Sequence, residues 1–70
     1  MRKTTPLRNI RRARTINQQQ LAVLVGVSQQ SLSKIERGTL MPSVDVRQRI
    51  AAVLGVAVHD LFPAREAIAS

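Results

Sequence analysis

The chain has 70 residues, enough for one domain, and a domain of this size buries only about 60% of the surface its unfolded form exposes. Eleven Lys and Arg stand against four Asp and Glu, a net charge of +7 at pH 7, which points to a polyanionic partner and to nucleic acid first. With no cysteine, no secretion signal after Met1–Pro6 and no apolar run near the ~20 residues that span a bilayer, the composition excludes disulfide scaffolds and membrane helices and predicts a cytoplasmic protein.

Five short helices are predicted. Thr5 caps the first and Pro6 occupies its first position, where the missing N–H would lack a partner in any case. Leu7 and Ile10 then form an apolar edge among Arg8, Arg11, Arg12 and Arg14, up to a stop near Thr15. Asn17 opens the second helix with Gln20 three residues on, the spacing of a capping box. Leu21, Ala22 and Val25 are its inner face, and Gly26 ends it. Ser28 caps the third helix, Leu32 and Ile35 face inward, and Gly38 stops it. Ser43 caps a fourth helix that runs to Leu54 and ends at Gly55. A short fifth helix covers 58–62, ended by Pro63. The domain is expected over residues 1–63, with 64–70 a flexible tail.

The second and third helices are separated by Gly26-Val27-Ser28: a left-handed stop, an apolar plug and an N-cap. That is the sequence form of a helix-turn-helix. At about 100° per residue, Gln29, Gln30, Ser33, Lys34 and Arg37 share one outward arc of roughly 140°. This arc carries amides, a hydroxyl and two cations, and no acid. Gln29 and Gln30 stand at the helix start, where a recognition helix meets base edges. A glutamine amide matches the N6 and N7 edge of adenine. Lys34 suits a guanine edge or a phosphate, and Arg37 a phosphate. The single aromatic, Phe62, argues against RNA or single-strand modules built on stacking platforms.

From Leu7 to Phe62 the chain resembles the Xre-type family of lambdoid phage repressors and Cro proteins. The residues that carry the resemblance are Asn17-Gln18-Gln19-Gln20-Leu21-Ala22, Gly26-Val27-Ser28-Gln29-Gln30-Ser31, Ile35-Glu36-Arg37-Gly38, Pro42-Ser43, Ile50-Ala51 and Leu54-Gly55-Val56. The resemblance implies an all-α, five-helix, lambda-repressor-like domain with its helix-turn-helix in helices 2 and 3. It implies a sequence-specific regulator of transcription, a repressor first, bound in the major groove of a palindromic double-stranded DNA operator. It also implies that Gln18 contacts phosphate, that Gln29, Gln30 and Lys34 face bases, and that Arg11 and Glu36 form an internal salt bridge. Together with the helical wheel, this yields a base-facing set of Gln29, Gln30, Ser33 and Lys34. The phosphate-facing set is Asn17, Gln18, Ser28, Ser31, Arg37 and Thr39.

Four positions depart from the family pattern. Val23 and Leu24 are apolar where polar residues are usual; they pack on the N-terminal segment or form a partner surface. Arg47 stands on the inner side of the fourth helix in place of leucine, with its stem expected to pack and its guanidinium to reach solvent. Thr15 replaces a glycine, so the first turn is expected to differ. A homodimer contact is expected near helices 4 and 5, from Val56, Val58, Leu61 and Phe62, although at least one of the last two is expected to close the core instead. The alternative function is an antitoxin or other interaction module of the same fold, using Val23 and Leu24. Restriction-modification control is a further role of this family. No enzyme, cofactor or metal is expected from one histidine, four acids and no phosphate loop. His59 is read as a solvated residue.

Overall fold

The computed structural model describes residues 6–62. The helices are α1 (Pro6–Ala13), α2 (Gln18–Val25), α3 (Gln29–Arg37), α4 (Val44–Leu54) and α5 (Val58–Leu61). No strand occurs among the described residues. The expected Thr5 cap, the Pro63 stop and the tail 64–70 lie outside them.

Side-chain acceptors start the middle three helices. Asn17 Oδ1 accepts from the Gln20 N–H at 2.8 Å while Gln20 Oε1 accepts from the Asn17 N–H at 3.0 Å, a reciprocal capping box. Ser28 Oγ accepts from the Ser31 N–H at 3.0 Å and Ser43 Oγ from the Val46 N–H at 3.3 Å. Ala57, before α5, has no side-chain acceptor; there Asp60 alone reaches back, accepting from the Ala57 N–H at 3.1 Å. His59 is exposed, as expected.

Helices α1 to α4 all stop the same way. Past each helix body one N–H reaches back five residues, as from Ile16 to the Arg11 carbonyl at 3.3 Å and from Thr39 to the Lys34 carbonyl at 2.9 Å. That closure needs a left-handed residue just before it. Gly26, Gly38 and Gly55 supply it after α2, α3 and α4, at φ of 89°, 80° and 72°. After α1 the position is Thr15, at φ 56°. The first turn therefore keeps the shape of the others, and a β-branched residue is forced into it. The left-handed conformation costs an L-residue roughly 1–2 kcal/mol, and glycine gives back about 0.4–1 kcal/mol through the unfolded chain. Thr15→Gly is expected to raise stability by about 0.5–1 kcal/mol, read from urea unfolding; a loss of stability would refute the strain.

The apolar faces converge on one core. Leu7, Leu21, Leu32, Ile50 and Leu61 are fully buried, and Ala22, Val25, Ile35, Ala51, Leu54 and Phe62 nearly so. Each large aliphatic side chain withdrawn from water stabilises the fold by about 1.5–3 kcal/mol. Helix α2 packs on α3 and α4, α5 packs on α1 and α4, and α1 reaches α3. Val27 is half-buried against this core, in the angle between α2 and α3. Leu61 and Phe62 both close the core, which corrects their place among the expected dimer contacts. Val56 and Val58 remain half-buried.

Arginines hold the helix ends together. Arg14 Nε donates to the Leu54 carbonyl at 3.0 Å, and Arg49 Nη1 to the Val25 carbonyl at 3.3 Å. A cation at the carboxyl end of a helix also meets its partial negative charge. Arg47 is half-buried, and its Nε, part of the guanidinium expected to reach solvent, is buried with no hydrogen-bond partner.

Candidate nucleic-acid interface

Helix α3 stands with one face in the core and one in solvent. Leu32 and Ile35 anchor it. Gln29, Gln30, Lys34 and Arg37 are exposed, and Ser31 and Ser33 are half-exposed. The caps at both ends hold this presentation, because Ser28 and Gly38 set where the helix begins and ends. Asn17 and Gln18 stand at the adjacent start of α2, and Thr39 just past α3.

Glu36 is the acid on this helix, and it is turned inward, 2% exposed. Arg11 meets it with two parallel bonds, Nε to Oε2 at 2.5 Å and Nη2 to Oε1 at 3.1 Å. The remaining arginine arm, Nη1, donates to the Ile16 carbonyl at 2.9 Å. The forked geometry and the third bond compensate a pair whose side chains are 9% and 3% exposed, where unpaired charge would be severely penalised.

The ion pair does not end at Glu36. Gln18 Nε2 donates to Glu36 Oε1 at 3.2 Å, and Gln29 Nε2 donates to Gln18 Oε1 at 3.3 Å. A carboxylate only accepts, so it dictates which end of the Gln18 amide faces inward. The Gln18 oxygen is then turned to Gln29, whose own oxygen and second N–H remain available. A run of directed hydrogen bonds thus links α1, through α3 and the start of α2, to the first residue of α3. Residue spacing does not reveal these links, since they join positions brought together only by packing. Gln30 makes no such bond and projects freely.

Two hydroxyls expected at phosphates have internal work. Ser28 Oγ caps α3 and donates to Ser31 Oγ at 3.0 Å; Thr39 Oγ1 donates to the Lys34 carbonyl at 3.2 Å. Two concavities flank the site. One, between α1 and α3, is polar and is lined by Arg8, Arg12, Gln18, Ser33 and Arg37 over the Arg11–Glu36 pair. The other runs along Ile16, Gln20, Val23 and Leu24. Val23 is 74% exposed and Leu24 60% exposed, so neither is packed away. Among the described residues no group of acids and histidine could hold a metal, and no helix is long and apolar enough to cross a membrane.

A model of the helix-turn-helix family matches residues 7–61. The chain belongs to the helix-turn-helix family. It is 36% identical over 56 residues to an uncharacterized HTH-type transcriptional regulator of Methanocaldococcus jannaschii, covering 80% of this chain and 85% of that protein. It is equally similar, at 36% over 56 residues, to the HTH-type transcriptional regulator DdrOP3 of Deinococcus deserti. There the match covers 80% of this chain and 43% of the relative, so the chain spans less than half of that protein's length. Two solved structures share the five-helix fold. The restriction-modification controller protein C.AhdI from Aeromonas hydrophila has a TM-score of 0.75 at 30% identity, covering 81% of this chain and 86% of that one. The clp gene regulator ClgR from Corynebacterium glutamicum has a TM-score of 0.76 at 27% identity, covering 91% and 79%.

Proposed function

We propose that this helix-turn-helix protein is a cytoplasmic, sequence-specific regulator of transcription, a repressor that lays α3 in the major groove of duplex DNA. One observation carries the reading: the solvent face of α3 bears amides and cations, while its acid, Glu36, is turned inward and paired with Arg11. Gln29 and Gln30 read base edges, with Lys34 and Ser33 further along the same face. Asn17, Gln18, Ser31 and Arg37 meet phosphates, helped by the positive end of α2. Ser28 and Thr39 join them only by giving up an internal hydrogen bond. Two copies related by a twofold axis read two half-sites, with Val56 and Val58 near the contact, and the bound pair blocks polymerase.

The test is selection of duplexes from a randomised library at 100 mM salt. The expected outcome is an inverted repeat with half-sites about 10 bp apart, centre to centre. A library that emerges unenriched would sink the proposal. A second reading, an antitoxin or similar interaction module, is favoured by exposed Val23 and Leu24. It predicts that a small protein co-purifies with the chain and is lost from a Val23→Gln/Leu24→Gln variant.

A further inference from the structure

We infer that the polar groove between α1 and α3 is a binding site for a backbone phosphodiester of the duplex, held by Arg8, Arg12 and Arg37. The inference rests on the DNA-binding reading and extends the interface to a helix outside the helix-turn-helix. Arg8 and Arg12 are four residues apart on α1, so they share one face of that helix. Arg37, in the last turn of α3, lines the same concavity.

Charge bookkeeping within the groove is lopsided. Its carboxylate, Glu36, lies at the buried floor with Arg11 bonded to both of its oxygens. The other described acids sit elsewhere, Asp45 against Arg49 at 2.8 Å and Asp60 near His59 at 3.8 Å. Among the described residues no salt bridge joins Arg8, Arg12 or Arg37 to an acid. Three guanidinium groups around one concavity repel one another until an anion enters, and guanidinium forks match phosphate oxygens in pairs. Two walls of the groove, Gln18 and Ser33, already belong to the proposed DNA face. A strand passing the start of α2 therefore runs directly onto α1.

The test compares three proteins by fluorescence anisotropy on a labelled 30-bp duplex of mixed sequence and on the selected operator, from 50 to 300 mM KCl. They are wild type, Arg8→Gln/Arg12→Gln, and Gln48→Glu/Ala52→Glu. The last changes the charge by the same amount on exposed positions of α4. The slope of log affinity against log salt is about 0.9 per neutralised phosphate. The arginine variant is expected to bind both duplexes about tenfold more weakly at 100 mM KCl, with a slope shallower by about one to two. The α4 variant is expected to keep the wild-type slope. An unchanged slope in the arginine variant, or equal losses in both variants, overturns the site. Wild type that binds neither duplex at 50 mM KCl overturns the DNA-binding reading itself.

Discussion

Glu36→Ala is expected to lower the free energy of unfolding by about 3–5 kcal/mol, read from urea unfolding. The substitution removes the acceptor of both Arg11 bonds and leaves a guanidinium in a site where its side chain is 9% exposed. A small domain has about 5–15 kcal/mol in all, so much of its stability is at stake. The penalty belongs to the stranded charge more than to the pair. Arg11→Met/Glu36→Leu is therefore expected to recover most of the loss, since an apolar pair of similar volume avoids desolvating two ions. A single-variant loss below about 1 kcal/mol is the value of an exposed ion pair and would contradict the buried arrangement. The recovered double variant also isolates the directed hydrogen bonds. It lacks the carboxylate that orients Gln18, so it should fold yet bind DNA less selectively.

Gln30→Ala is expected to remove about 1–3 kcal/mol of discrimination at a single base position of the operator. The measurement is affinity across all single-base variants of the selected site at fixed salt. Equal weakening on every sequence would remove Gln30 from the base readers. Gln29 should behave differently, because its amide is bonded to Gln18. Gln18→Ala and Gln29→Ala are expected to be non-additive, with an interaction of about 0.5–3 kcal/mol. Gln30, with no such partner, should combine additively with Gln18→Ala. Full additivity of the Gln18–Gln29 pair would mean that their hydrogen bond carries no weight in binding.

The departures from the family pattern differ in consequence. Thr15 leaves the turn unchanged and adds strain, because the backbone closure after α1 demands one conformation whatever the residue. Arg47, half-buried, holds its Nε buried without a partner. Val23 and Leu24 stay in solvent beside a shallow groove.

Local signals in the amino-acid order were sufficient for the helices and their faces. Asn17, Ser28 and Ser43 place acceptors at helix starts, glycines allow left-handed stops, and the spacing of Leu21, Leu32, Ile35 and Ile50 names the buried side. Each of these depends on neighbours within a turn or two, so each is readable along the chain. Packing alone decided the rest. It took both Leu61 and Phe62 into the core, assigned Arg14 and Arg49 to distant carbonyls, and set Arg8 and Arg12 across a groove from Arg37. It also extended the Arg11–Glu36 pair, which the family resemblance had implied, through Gln18 to Gln29 as one directed run of hydrogen bonds. Such bonds need atoms within about 3 Å that come from three helices, and only the folded chain brings those helices together.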